Sequence, residues 1–111
     1  MTDAIAVYVT TSDGIEARAI GKQVVKEHLA ACANVSDGMR SIYHWEGKLC
    51  EESESTLLLK TRRELLEQLT ARIRELHSYT CPCIVAFPIV GGNTDYLAWI
   101  DRETSATWLH E

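Results

Sequence analysis

The sequence predicts an α+β domain, a sandwich of element order βαββαβ with one further helix at its C-terminal end. Three observations predict it. Four short segments read as strands, three of them apolar in both alternate rows, and apolar residues recur with helical period in two longer segments between them. The two middle strands are joined at Glu46-Gly47 as a tight hairpin. Two βαβ-like halves linked by a central hairpin make an antiparallel sheet with both right-handed crossover helices on one face, the ferredoxin-like arrangement. With 111 residues the chain is expected to form a single domain, residues 1–111, around one ordinary core.

Ala4–Thr10 reads as the first strand, with Ile5, Val7 and Val9 opposing Ala6, Tyr8 and Thr10. Ser12 or Asp13 can cap the helix that follows, and Asp13 and Glu16 have the spacing of a capping box. That helix is expected from about Ile15 to Ala31, with Ala17, Ile20, Val24 and Val25 drawing its apolar stripe. Gly21 would let it approach a sheet closely, at a cost of about 1 kcal/mol in helix propensity. Ala33-Asn34-Val35 begins the second strand, and Ser36-Asp37-Gly38 interrupts it as a turn or bulge. In Ser41–Trp45 alternate positions share a face, so Tyr43 and Trp45 stand side by side on a projecting ribbon. Gly47 supplies the positive φ of the turn.

Glu51-Glu52-Ser53-Glu54-Ser55 reads as a solvated ribbon whose charges discourage edge pairing, and Thr56–Lys60 extends the third strand. Thr61-Arg62-Arg63-Glu64 has the form of a capping box and opens a second helix with the stripe Leu65, Leu66, Leu69, Ile73 and Leu76. His77-Ser78-Tyr79 ends that helix, and Thr80-Cys81-Pro82-Cys83 leads into a fourth strand, Ile84–Val90. After the Gly91-Gly92-Asn93 loop, Thr94 can cap a last short helix containing Tyr96, Leu97, Trp99 and Ile100.

Apolar content of 46% and charged content of 24% are those of a globular chain and exclude disorder. A net charge of −5 argues against nucleic acid or an anionic membrane as partner, since both call for a basic face. Met1-Thr2-Asp3-Ala4 runs straight into Ile5–Val9 without the basic segment and cleavage site of a signal peptide. A cytoplasmic location is therefore expected, with Cys32, Cys50, Cys81 and Cys83 as thiols.

Both crossover helices should cover one side of the sheet and leave the other polar, yet the strands carry apolar rows on both sides. Ala6 and Tyr8 oppose the Ile/Val row of the first strand, Ile84, Ala86 and Val90 oppose Val85, Phe87 and Ile89 in the fourth, and Leu58 lies between Leu57 and Leu59. Covering a second face of ~500 Å² is worth on the order of 10 kcal/mol before association costs. The last helix can cover part of it. Self-association with cyclic symmetry covers the rest, the alternative being a monomer whose last helix folds across the whole sheet.

Five blocks carry a resemblance: Leu29-Ala30-Ala31-Cys32-Ala33-Asn34, Ser41-Ile42-Tyr43-His44-Trp45-Glu46-Gly47-Lys48, Leu59-Lys60-Thr61, Glu75 through Pro82, and Asp95-Tyr96-Leu97-Ala98-Trp99. In this order and spacing, the chain resembles the CutA family of small divalent-cation tolerance proteins. The resemblance implies a ferredoxin-like fold, a homotrimer in which the long hairpin pairs with neighbouring subunits, and an architectural likeness to the PII signalling trimers. It also implies tolerance of copper and other divalent metal ions. The chain departs from the family pattern where Ser78 replaces a proline and Cys83 a glutamate. Copper-binding members can use a cysteine at the end of the first strand and a His-His pair. Here Thr10 or its neighbour and Leu76-His77 hold those places, so of that ligand set only His77 is kept.

His77, Cys81 and Cys83 form the one local group of metal-ligand types, and thiolates with an imidazole suit Cu(I) or Zn(II). Against this, Cys83 can face the helix-covered core with Val85 and Phe87 as a small hydrophobe, and His77 can simply cap a helix end. Cys32 reads as packing at a helix end, Cys50 as exposed, His44 as a ribbon surface residue and His110 as part of a tail. No nucleophile–base pair, phosphate loop or paired carboxylates stand at a recognisable spacing, so no enzyme and no obligatory cofactor are expected. A PII-like alternative places a small molecule in inter-subunit clefts lined by Tyr43, Trp45, Lys60, His77 and Tyr79. Lys60 can equally serve a surface or interface ion pair.

Overall fold

A computed structural model describes residues 2–105. Its elements are β1 (Ala4–Thr11), α1 (Gly14–Lys26), β2 (Cys32–Trp45), β3 (Lys48–Arg62), a 3-10 turn at Arg63–Leu65, α2 (Leu66–Leu76), β4 (Ile84–Pro88) and α3 (Thr94–Glu103). The four strands form one sheet in the order β2-β3-β1-β4 with every neighbouring pair antiparallel. This is the expected ferredoxin-like α+β sandwich, with β3 running between β1 and β2 and β1 between β3 and β4. His110 lies outside the described residues.

The core lies between the sheet and the two crossover helices. Val7, Val9, Leu57 and Leu59 from the strands meet Ile20 and Val24 of α1 and Leu69 and Ile73 of α2, all with almost no exposed surface. Gly21 sits where α1 touches the sheet. A Cβ there would lie 3.0 Å from Ala33 Cβ and 3.1 Å from Leu57 Cδ1, which is why a residue without one is tolerated mid-helix. The Arg72 guanidinium grips both carboxylate oxygens of Glu27, with Nε 2.9 Å from Oε1 and Nη2 2.9 Å from Oε2, and ties α2 to the end of α1.

Three boundaries differ from the sequence reading. First, α1 stops at Lys26 rather than Ala31. His28 takes a left-handed φ of 59°, its N–H donates to Val25 O and the Leu29 N–H to Val24 O, a Schellman closure made without glycine. Cys32 accordingly opens β2, half-exposed, instead of packing at a helix end. Second, Thr61 caps nothing: it is fully buried and its hydroxyl donates to Leu29 O at 2.8 Å. The chain turns into α2 through the 3-10 turn, without a side-chain cap, while Arg62 reaches Thr104 Oγ1 at 3.0 Å and pairs with Glu64 and Asp101. Third, β4 ends at Pro88, and Asn93 rather than Thr94 caps α3, its Oδ1 accepting the Asp95 N–H at 3.0 Å.

The hairpin and the bulge are where the sequence put them. The β2–β3 register shifts between Ser36 and Met39, and Glu46 and Gly47 both hold positive φ (50° and 78°), a two-residue turn matching the strand twist. The acidic segment from Glu51 to Ser55 is part of one unbroken strand β3.

On the face away from α1 and α2, α3 covers one end. Ile100 is fully buried there with Ala4 and Ala31, and Leu97 and Trp99 pack around them. Beyond α3, Val85 and Phe87 remain 45% and 53% exposed. The inner row of β4 is Ile84 and Ala86, packed on the core, which corrects the placement of Cys83, Val85 and Phe87 under the helices. Cys83 is exposed.

Candidate functional site

The end of β1, the start of α1, the exit of α2 and the approach to β4 converge on one rim of the sheet, and the polar side chains there are tightly engaged. Asp13 Oδ1 caps α1 by accepting the Glu16 N–H at 2.9 Å. Glu16 Oε1 accepts the N–H and hydroxyl of Ser12 at 3.0 and 2.9 Å, while its Oε2 accepts the Ser78 N–H at 2.8 Å. Burial would raise this carboxyl, but the hydrogen bonds from Ser78 and Ser12 together outweigh it and hold Glu16 at about 2. One carboxylate thus clamps α1 to the segment leaving α2.

His77 lies beneath this clamp with no side-chain surface exposed. Its Nδ1 accepts the Tyr79 N–H at 3.0 Å, so that nitrogen carries no proton, and its Nε2–H donates to Thr10 O at 2.8 Å. Both ring nitrogens are therefore committed. Tyr79 stacks obliquely on the same ring, centroids 4.7 Å apart, and its hydroxyl donates to Glu54 Oε2 at 2.7 Å. Burial first, then Glu54, pushes the Tyr79 phenol well up. Cys83 lies close to Glu54 and Thr10. Burial and the Glu54 charge raise its thiol, with a hydrogen bond from Thr10 opposing them.

The expected ligand group of His77, Cys81 and Cys83 is thus not assembled. Among the described residues no three His, Cys, Asp or Glu side chains stand together so as to hold a metal ion. His77 locks the rim, while Cys81 and Cys83 are exposed free thiols on the segment between α2 and β4.

The residues expected to line one cleft lie in three places within a chain. His77 and Tyr79 belong to the rim. Tyr43 and Trp45 lie at the hairpin end, opposite Cys50 and Lys48, and Lys60 is twelve residues further along β3, roughly 40 Å away at about 3.4 Å per residue. Among the described residues Lys60 has no ion-pair partner: its Nζ donates to Asn34 Oδ1 at 2.7 Å and lies 5.9 Å from the Tyr96 ring centroid. The Tyr96 hydroxyl is 3.5 Å from Cys32 Sγ, and this contact, then burial, pushes the phenol up to about 12. Asn34 and Tyr96 stood in two of the resemblance blocks, but nothing there assigned them a role. Glu54 read as one more charge on a wet edge.

Comparison with known proteins follows the same architecture. The family model for the CutA1 divalent ion tolerance protein matches residues 5–103. The chain is 44% identical over 98 residues to the divalent-cation tolerance protein CutA of Thermus thermophilus, covering 88% of this chain and 95% of that one. It is 42% identical over 101 residues to the chloroplastic protein CutA of Arabidopsis thaliana, covering 91% of this chain but only 56% of the plant protein, so it spans about half of that relative's length. The crystal structure of CutA from Xylella fastidiosa superposes with a TM-score of 0.91 at 33% identity, covering 94% of this chain and 100% of that one. With nearly the whole described fold matched in sequence and in space, the chain belongs to the CutA1 divalent ion tolerance protein family.

Proposed function

We propose that the chain serves in tolerance of divalent metal ions, copper foremost, as a cytoplasmic homotrimer without catalytic activity. The observation that carries the assembly is the apolar surface one copy leaves wet. Val85 and Phe87 stay half-exposed on the uncovered sheet face, and the hairpin presents Trp45 on one side and Ile42 and Leu49, 66% and 70% exposed, on the other. A ribbon apolar on both sides is suited to lie between two neighbours, and burying such side chains is worth on the order of 1–2 kcal/mol each. Closed cyclic symmetry satisfies every copy's ribbon and face at once.

The metal role is supported by the relatives named as divalent-cation tolerance proteins. A non-catalytic role is in keeping with the Cys83 thiol, which burial and then the Glu54 charge raise, a shift opposite to that of an activated cysteine. Sedimentation velocity at micromolar concentration tests the assembly. A species of three chains is expected, shifted toward smaller species by Phe87→Glu, and single folded chains would overturn it. A host lacking its own CutA protein, challenged with copper salts, tests the role. The wild-type chain should restore growth and Phe87→Glu should not.

A further inference from the structure

We propose that Lys60, with Asn34 and Tyr96, forms a receptor for one small organic carboxylate where β2, β3 and α3 meet. The Lys60 side chain is half-buried on the sheet face away from α1 and α2, among neutral neighbours. In register it stands between Ala6 of β1 and Cys32 of β2, and Leu58 precedes it on the same face. Arg62, the next cation along that face, is matched by Glu64 and Asp101. Lys60 has no such partner among the described residues. A cation drawn part-way out of water without a counter-charge is costly, so this ammonium calls for an anion.

The groups around it define which anion. Asn34 Oδ1 accepts from Nζ at 2.7 Å, which fixes the head while using one of the three ammonium N–H groups. The Tyr96 ring, centred 5.9 Å from Nζ and stacked on Trp99 at 5.5 Å, makes an aromatic wall beside the charge. Tyr96 supplies no negative charge of its own. Its contact with Cys32, then burial, pushes the phenol up to about 12, and it stays neutral. With Arg62 already matched, inorganic phosphate would meet a single cation, whereas Tyr96 and Leu58 offer apolar surface to the body of an organic acid. Phe87 stands two strands away across Ala6, roughly 10 Å, so the site lies at the β2 side of the sheet, apart from the patch assigned to other copies.

This site goes beyond the tolerance role and is complete within one chain. The test is a titration of the full chain with sodium butyrate, followed in ¹H–¹⁵N spectra, with sodium chloride as the ionic-strength control and inorganic phosphate as the competing probe. The Cys32 and Tyr96 amide signals should shift to saturation with butyrate, stay fixed with chloride and respond more weakly to phosphate. Lys60→Met should abolish the response and Lys60→Arg should keep it. Asn34→Asp, which sets a carboxylate of the chain's own against the ammonium, should abolish it too while the rest of the spectrum is kept. No saturable shift in wild type, a response that survives Lys60→Met or Asn34→Asp, or phosphate binding as tightly as butyrate would each overturn the site. Sedimentation of the same samples reads the assembly separately. Loss of assembly in both Lys60→Met and Asn34→Asp would give Lys60 to a carboxylate of another copy and likewise overturn the proposal.

Discussion

The Tyr79 hydroxyl donates to Glu54 Oε2 at 2.7 Å and fastens the exit of α2 to β3 at the root of the hairpin. At the same level the Tyr8 hydroxyl reaches Met39 Sδ at 3.4 Å, so the two bonds together brace the lever that carries Trp45. Tyr79→Phe keeps the ring stacked on His77 and deletes only the donor. The expected cost is about 1.5–3 kcal/mol, the range for a hydrogen bond to a charged group. Glu54→Gln should cost less, and a double-mutant cycle by denaturant unfolding should show the pair coupled.

Glu16 makes stability depend on acid in a definite direction. Its folded pKa of about 2 lies below the ordinary value of 4.5, so the folded state favours the ionised carboxylate. The stabilisation is full above pH 4.5 and is lost as pH falls toward 2. Glu16→Gln should lower stability by roughly 1–2 kcal/mol at pH 7. The gap from wild type should close across that acid window, as unfolding curves at several pH values would report.

What the sequence disclosed and what it hid separate along physical lines. The apolar runs Ala4–Thr10 and Thr56–Lys60 located the two central strands, and Glu46-Gly47 the turn, because these signals are local. In β4 both rows are apolar, and Phe87 is bulkier than Ala86. Pairing decides between them: Val7 faces Ala86 and Tyr8 faces Val85, which puts the small residue inside. The end of α1 was hidden because His28 does the work usually given to glycine while Leu29-Ala30-Ala31 continues an apolar run. Thr61 imitated a cap and is used instead to satisfy Leu29 O. The site suffered most. His77 was visible as a residue type, but its two partners, Thr10 O and the Tyr79 N–H, are backbone groups, and Glu16 meets Ser78 across 62 positions.

The His77 bonds dictate its tautomer. An acceptor Nδ1 and a donor Nε2–H are the only neutral arrangement that satisfies both neighbours. Long-range ¹H–¹⁵N spectra at neutral pH should show a protonated Nε2 and a bare Nδ1, with slow exchange of that proton behind the buried rim. His77→Ala should cost about 2–4 kcal/mol, since it opens a cavity and orphans two buried backbone groups. A solvent-averaged pair of tautomers would contradict the rim geometry.

Glu46 occupies the first position of the hairpin turn at φ 50°, a conformation that asparagine and glycine adopt more readily than glutamate. Its side chain is exposed, so replacing it disturbs no packing. Glu46→Asn should therefore stabilise the chain by a few tenths to about 1 kcal/mol. Gly47→Val, which forces a β-branched residue to φ 78°, should destabilise it by about 1–2 kcal/mol although a Cβ there would meet no atom within 4 Å. The opposite signs isolate backbone conformation from contact. Thermal unfolding of the two variants beside wild type measures both, and equal losses would show that the turn is not held in this form.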